Sequence, residues 1–188
     1  MVSILNEPQP PHSLDLVIDF VNTLDVEEGT DSIERPKMLA AWLAERELLG
    51  HGEPVSVGDH SGAIRLREAL RALMLTNNGR PGDDGAVREL ERVARHGELG
   101  VHFEPTGTVS LAPAAAGTAG ALARLLVPVA SALADDSWRR VKACRAPDCN
   151  WAFYDRSRNR SGVWCDMAVC GNRTKVRTYR ENAPRERR

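Results

Sequence analysis

Apolar residues recur at helical spacing through most of the first 134 positions of the chain. The pattern predicts a first helix from Ser13 to about Leu24, with Ser13 as its N-cap. Four further helices are predicted on the same grounds, at 36–49, 61–76, 84–96 and 117–134. Two short strands around a Pro-Thr-Gly turn are predicted between the last two helices, at 99–103 and 108–111. This part of the chain is therefore expected to be a mainly α domain with one small β-hairpin.

Charge divides the chain at Asp136, where the composition also changes. Residues 137–188 hold fourteen Lys/Arg against five Asp/Glu, a net charge of +9, whereas residues 1–136 carry −10. We therefore expect two domains with separate cores, 1–136 and 137–188. An acidic N-terminal part followed by a basic C-terminal part is typical of a protein that binds a polyanion. Only three of the 25 basic residues are lysines, and genomic base composition explains this preference for arginine over lysine. It does not explain why acidic residues are scarce after Asp136.

All four cysteines lie in the basic part, in the pattern C-x4-C-x15-C-x4-C: Cys144, Cys149, Cys165 and Cys170. Two pairs of thiols joined by a spacer are how a chain builds a tetrahedral zinc site. Four protein ligands leave no open position, so the predicted cofactor is one structural Zn²⁺. Two disulfides are the alternative, and a redox-active thiol pair is disfavoured because the chain has no C-x-x-C.

The sequence shows no sign of export or of a membrane segment. The stretch from Met1 to Pro11 has neither the basic nor the apolar region of a signal peptide. The most apolar run, 121–134, is 14 residues long, whereas a membrane span needs about 20. We therefore expect a cytoplasmic protein, in which thiols stay reduced and zinc is favoured over disulfides.

The residues around the cysteines predict a little β structure and a final helix. Ala-Pro-Asp between the first two cysteines is turn chemistry that suits a metal-binding knuckle. Residues 151–155 are typical of a strand, 163–164 of a returning strand, and the Arg-rich segment between them of a loop. Asp166 is a good N-cap for a helix that Pro184 must have ended. Knuckle, hairpin and helix in this order resemble a treble-clef zinc finger.

Four short motifs lie at and between the cysteines: Phe153-Tyr154-Asp155, Ser157-Arg158-Asn159, Trp164-Cys165 and Cys170-Gly171-Asn172-Arg173. They are similar to motifs of the CGNR zinc finger family. The segment from Leu16 to Asp25 resembles the opening of the ABATE domain, which usually precedes that finger. Together the resemblances cover nearly the whole chain and imply a stress-linked transcription regulator. Relatives often carry basic residues where this chain has Gly162-Val163, which weakens the case for a phosphate contact there, and often Ser in place of Asp166, which preserves capping.

Seven basic residues are the predicted nucleic-acid contacts: Arg156, Arg158, Arg160, Arg173, Lys175, Arg177 and Arg180. Arg173, Arg177 and Arg180 fall within about 60° of one another on the last helix, and the loop 156–160 leads toward it. Guanidinium forks match phosphate oxygens and guanine edges, so DNA is the predicted partner. The alternatives are a solvated face, or a zinc-stabilised module that binds RNA or docks an acidic protein, including the chain's own acidic half. Four aromatic residues are interpreted as the small core of this module rather than as stacking platforms for bases: Trp151, Phe153, Tyr154 and Trp164.

The first helix carries Asp15, Asp19 and Asn22 on one face, opposite its apolar residues. The favoured interpretation of these side chains is structural. The alternative is a site for a small-molecule or protein effector, which would make the N-terminal half a sensor. Paired carboxylates also occur in hydrolases, but the chain has no P-loop, nucleophile elbow or HExxH, and its five histidines show no ligand or triad spacing. We therefore predict that the protein is not an enzyme, and the pattern leaves its oligomeric state open.

Overall fold

The computed structural model describes residues 12–103 and 105–182, and most of its regular structure is helical. The helices are α1 His12–Val21, α2 Pro36–Glu45, α3 Val57–Thr76, α4 Asp84–His96, α5 Gly117–Arg124, α6 Leu126–Ala134 and α7 Asn172–Asn182. The strands are β1 Leu24–Asp25, β2 Thr30–Asp31, β3 Leu99–Phe103, β4 Val109–Pro113, β5 Val141–Ala143 and β6 Ala152–Tyr154. Among the described residues they pair as three antiparallel hairpins, β1 with β2, β3 with β4 and β5 with β6. The predicted mainly α fold is confirmed.

Helix α3 lies at the centre and contacts α1, α2, α4 and β5. Its N-cap is Ser56, whose hydroxyl accepts from the Asp59 amide at 3.1 Å and donates to the Asp59 carboxylate at 2.6 Å. The cap starts α3 four residues before the predicted position 61, because the first turn is mostly exposed and adds nothing to the apolar periodicity. Leu66, Leu70 and Met74 then point into the core with no exposed surface.

The segment predicted as one helix, 117–134, is two helices that meet at Leu125. Pro128 has no N–H to donate to the carbonyl of Arg124, and its ring crowds that carbonyl, so the helix breaks there. Within the described part of the chain, this is the one helical segment long and apolar enough to cross a membrane, with a mean hydropathy of 1.4. Half of it is buried inside the protein, as expected of a core helix.

Helix α2 ends at Glu45, before the predicted position 49, in a C-cap built without glycine. Glu47 has φ +57°, in the left-handed region. Its amide donates to Ala44 O at 3.0 Å, and the Leu48 amide donates to Leu43 O at 2.9 Å, which are the two bonds of a Schellman motif. Because glycine usually fills the left-handed position of this motif, no residue before Gly50 indicates the end of the helix.

Replacing Glu47 by Gly is expected to stabilise the protein by about 0.5–1 kcal/mol. Glycine avoids the roughly 1–2 kcal/mol that a Cβ costs in the left-handed region, although part of this gain is lost to the greater freedom of glycine in the unfolded chain. The midpoint of urea unfolding checks this. Ala41→Gly, on the exposed side of α2, is the control and should destabilise by about 1 kcal/mol. A lower midpoint for Glu47→Gly would contradict the expectation.

One hydrophobic core runs through both predicted domains. Residues of α1 and α3 belong to the same buried cluster as Trp138, Val141, Ala143 and Ala152. Trp138 is 3% exposed and Val141 0%, although both lie beyond the predicted boundary. The expectation of two separate cores is therefore wrong. A second, smaller cluster contains Cys144, Ala146, Cys149 and Cys170.

Asparagine side chains fasten the C-terminal part to the helical part. Asn22, which follows α1, donates to Ala152 O at 2.9 Å and accepts from the Ala152 amide at 2.7 Å. Asn77 and Asn78, which follow α3, donate to four C-terminal carbonyls, those of Trp138, Val141, Ala143 and Val163, at 2.7–2.8 Å. Asn22 thus has the structural role expected for it, since its amide replaces a missing strand partner at the edge of β6.

Candidate metal centre and basic surface

The four cysteine sulfurs converge on one point. All of them lie within 4.8 Å of one another. The Sγ atoms of Cys149 and Cys165 are 3.6 Å apart, and those of Cys165 and Cys170 are 3.7 Å apart. A tetrahedral zinc ion with Zn–S bonds of about 2.3 Å places its sulfurs about 3.8 Å apart. Because the four cysteines form no disulfide, this donor set fits one zinc ion.

The first ligand pair lies at the tip of the β5–β6 hairpin. Cys144 follows β5, and its amide donates to Trp151 O at 2.8 Å. A tight turn brings the chain back, with the Cys149 amide donating to Ala146 O at 3.0 Å. Asn150 has φ +55°, so the chain reverses just before β6. The hairpin therefore fixes both sulfurs on one side of the metal position.

The second ligand pair is placed by the start of the last helix. The Asp166 carboxylate accepts from the amides of Ala168 at 2.6 Å and Val169 at 3.1 Å, so the predicted N-cap is confirmed. The capped turn, Met167–Gly171, is a π-helical turn that carries Cys170 and leads into α7. Pro184, predicted to end this helix, lies outside the described residues.

The predicted return strand 163–164 is wrong. Strand β6 pairs with β5, which precedes the first cysteine, and not with 163–164. The Val163 carbonyl instead accepts from the Asn78 side chain at 2.8 Å and from the Arg145 amide at 3.3 Å. Hydrogen bonds from the helical part therefore hold the chain as it returns to Cys165.

Burial controls the protonation of two of the thiols, those of Cys149 and Cys165. It raises the pKa of the Cys149 thiol to about 12, and burial together with the neighbouring Cys144 raises the pKa of Cys165 as well. Without metal these thiols are protonated at neutral pH. A zinc ion must displace those protons, so its affinity falls as the pH falls.

A buried ion pair holds the loop between β6 and Cys165. Lys142 Nζ donates to Asp155 Oδ2 at 2.7 Å and to the carbonyls of Arg160 at 2.6 Å and Gly162 at 2.9 Å. The side chains are 5% and 2% exposed. Burial raises the pKa of Asp155, but hydrogen bonds from Lys142 and Ser157 outweigh it and lower the pKa overall, so the carboxylate stays charged. Nothing local in the sequence predicts this role for Lys142, whose only signal is that it is one of three lysines in an arginine-rich chain.

The loop arginines differ in their surroundings. Arg156 and Arg158 are exposed and form no ion pair with any described residue. Arg160 has φ +54° and pairs with Asp136 at 2.7 Å. Across residues 12–103 and 105–182, no hydrogen bond or ion pair links the loop 156–160 to α7. Two of the three predicted loop residues are therefore open to a ligand.

The arginines of α7 share one groove, as their spacing predicts. It is lined by Arg173, Val176, Arg177 and Arg180. Arg177 Nη2 lies 3.0 Å from Asp148 Oδ2. Burial raises the pKa of Asp148, but its backbone hydrogen bond and the two arginines Arg173 and Arg177 lower it overall, so it stays charged. Arg180 and Lys175 are exposed and form no ion pair with the described part of the chain.

Arg173 faces the acidic half of the chain. Its guanidinium donates to both carboxylate oxygens of Glu27, at 2.7 and 3.1 Å. Arg173 Nη2 also lies 3.5 Å from Cys170 Sγ. The hydrogen bond with Glu27 raises the pKa of Arg173 further above its usual value. Nothing local in the sequence indicates this contact, because 146 positions separate the two residues.

Two of the four aromatic residues of the finger lie against the buried clusters. Tyr154 packs on the main core and Trp164 on the cysteine cluster, in agreement with their interpretation as core. Trp151 is 36% exposed. Phe153, Tyr154 and Trp164 also line a groove shared with Asp15 and Ile18 of α1.

Two family models match the chain, one on each side of the composition break. ABATE, described as "Putative stress-induced transcription regulator", matches residues 14–136. The CGNR zinc finger model matches residues 140–183. The chain belongs to the ABATE family. No curated protein matches it. With the sulfur geometry, the second match identifies the four-cysteine centre as the structural zinc site of a CGNR finger.

The four residues that name the CGNR finger each have a physical role here. Cys170 is a zinc ligand, and the Asn172 side chain donates to Ala168 O at 3.0 Å, which closes the π-helical turn. Gly171 is buried, and a Cβ there would meet the Met167 side chain and lie 3.0 Å from Trp164 Cδ1. Arg173 reaches the ABATE half through Glu27. The motif therefore holds the metal turn together and joins the finger to the rest of the chain.

Proposed function

We propose that this ABATE protein regulates transcription by binding duplex DNA through the basic surface of its CGNR finger. The observation that carries the proposal is the set of exposed cations without a carboxylate partner among the described residues: Arg156, Arg158, Lys175 and Arg180. Free guanidinium and ammonium groups on an ordered surface are available to phosphates. A protein with this function would act in the cytoplasm, at the nucleoid.

The charge of the finger supports a polyanionic partner. Four thiolates and one Zn²⁺ together carry −2, so the +9 of residues 137–188 becomes about +7. Such a charge releases counterions from DNA when the two associate. The zinc centre and the Lys142 ion pair fix both cationic segments, so less side-chain and backbone freedom is lost on binding than with a flexible tail.

The sensor role of the ABATE half stays a prediction. The groove between α1 and the finger supports it, because a ligand there would contact both halves at once. Its lining includes Asp15 and Ile18 on one side and Tyr154, Arg156 and Trp164 on the other. Asp19 is exposed and does not line this groove.

The test of DNA binding is the double variant Lys175→Ala with Arg180→Ala in the full chain, because both residues belong to the unpaired set. Removing two phosphate contacts should lower the slope of log affinity against log salt by nearly two and weaken binding at least about tenfold near 0.1 M salt. Fluorescence anisotropy with a duplex at several salt concentrations measures both quantities. The full chain is required, because the finger shares its core with the ABATE half.

The matched control is Arg80→Ala with Arg88→Ala. These arginines are exposed, form no ion pair with a described residue and lie outside the finger, but their loss changes the net charge equally. Zinc content must be unchanged in both double variants. Equal affinity and slope for wild type and Lys175→Ala/Arg180→Ala would favour a protein-interaction module. Tighter binding to RNA than to duplex DNA would favour the RNA alternative.

A further inference from the structure

Glu27 is held in a fixed position at the tip of the β1–β2 hairpin. The strands pair Leu24 with Asp31 and Asp25 with Thr30. The Asp25 carboxylate accepts from the amides of Glu27 at 2.9 Å and Glu28 at 3.0 Å. Asp31 accepts from Arg67 of α3 at 2.8 Å, so the hairpin is tied to the centre of the ABATE half. The backbone that carries Glu27 is therefore set by the ABATE fold, and from there the carboxylate reaches Arg173 of the finger.

The contact of Glu27 with Arg173 has the geometry of a guanidinium–phosphate contact. Two nitrogens of Arg173 donate to two oxygens of Glu27, at 2.7 and 3.1 Å. This paired arrangement is the one in which arginine also binds phosphate. Arg173 lines the same groove as Arg177 and Arg180. Asp148 Oδ2 lies 3.6 Å from Arg173 Nε and 3.0 Å from Arg177 Nη2, so a phosphate that replaces Glu27 would bind Arg173 beside this second carboxylate.

The pair is weak enough to be exchanged. The side chains of Arg173 and Glu27 are 31% and 42% exposed. An ion pair with this exposure favours the paired over the separated side chains by a factor of only about one and a half to five. A phosphodiester backbone, which brings many charges to the groove, can therefore displace Glu27, but has to compete with it.

We propose that Glu27 is an internal competitor for a nucleic-acid phosphate at Arg173, so that the ABATE half lowers the DNA affinity of its own finger. This inference rests on the proposed function. Any event that moves the β1–β2 hairpin frees Arg173 and raises the affinity. The groove on α7 is thus an anion site shared between an internal carboxylate and a DNA phosphate.

The experiment compares Glu27→Ala with Glu28→Ala in the full zinc-loaded chain. Both residues are exposed, both variants remove one negative charge from the same turn, and the Glu28 side chain forms no ion pair with a described residue. Both variants keep the backbone amides that bond to Asp25. Glu27→Ala should bind duplex DNA about two to five times more tightly, and its salt slope should steepen by about 0.9, because one more phosphate is contacted. Glu28→Ala should match wild type in slope.

The outcomes separate this inference from the proposed function. Equal gains for the two variants with no change of slope would mean a general charge effect and overturn the inference. If wild type binds DNA and Glu27→Ala binds it with the same affinity, the inference is overturned as well, while the proposed DNA binding stands. No binding by any of the proteins, even at low salt, would overturn the proposed function as well. In the background of Arg173→Ala, with zinc content unchanged, the gain from Glu27→Ala should disappear, and its persistence would also count against the inference.

Discussion

Replacing Cys170 by Ser is expected to remove zinc and to lower the melting temperature of the whole chain. A structural zinc ion contributes on the order of 10 kcal/mol of binding free energy, which is free energy of folding where no site exists in the unfolded chain. The metal joins the β5–β6 hairpin to α7, and Val141, Ala143 and Ala152 of that hairpin belong to the main core. Loss of the ion therefore loosens residues that the ABATE helices need. Metal analysis and a thermal melt followed by circular dichroism measure the two effects.

The control for this variant is Ala168→Ser, which adds the same hydroxyl in the same turn at an exposed position and keeps all four ligands. It should retain one zinc ion per chain and melt close to wild type. Two separate cores, as expected from the sequence, would instead let much of the N-terminal helix signal survive the loss of a cysteine. A variant whose helical signal melted at the wild-type temperature after losing its zinc would restore that view.

Replacing Lys142 by Met is expected to destabilise the protein by about 3–5 kcal/mol. The substitution keeps the volume but leaves the Asp155 carboxylate buried without its cation, which is the costly way to break an internal ion pair. The carbonyls of Arg160 and Gly162 lose their donor at the same time. Chemical denaturation with zinc present in both proteins measures the change in the free energy of unfolding.

Lys37→Met supplies the comparison for this second variant, because Lys37 is exposed and has no ion pair with a described residue. It removes the same charge and should change the free energy of unfolding by less than about 0.5 kcal/mol. A loss below about 1 kcal/mol for Lys142→Met would show that the buried pair does not hold the basic loop. On the proposed function, Lys142→Met should also bind DNA more weakly, since Arg156 and Arg158 lie in that loop.

Local signals in the sequence predicted most of the helices. The apolar periodicity located α4 at its observed bounds. It found α1 and α3 with shifted ends: α1 ends at Val21 and already contains Ser13, its predicted N-cap, and α3 begins at Val57. The Asp166 cap located the start of the last helical segment. The errors occurred where a local exception overrode the pattern. Pro128 breaks a run that is otherwise uniformly apolar, and Glu47 takes a backbone conformation that usually belongs to glycine.

The candidate site was predictable only where its chemistry is local. Cysteine spacing gave all four zinc ligands, because a metal knuckle is built from nearby residues. The contact of Asn22 with Ala152 spans 130 positions, and that of Glu27 with Arg173 spans 146. Neither leaves a periodic or compositional trace. The sequence therefore suggested two independent halves, whereas these long-range contacts and the continuous core make them one structure.

The continuous core has a consequence for how the protein is made. The ribosome completes the first 136 residues before it adds Trp138 and Val141, which are 3% and 0% exposed in the finished molecule. Until they arrive, the nascent ABATE half keeps open the apolar surface that they cover, and Asn77 and Asn78 lack their carbonyl partners. Translation that stops at the composition break thus yields an aggregation-prone fragment with exposed apolar surface, which chaperones and proteases recognise. The final residues, with their metal, complete the maturation of the helical part as well as the finger.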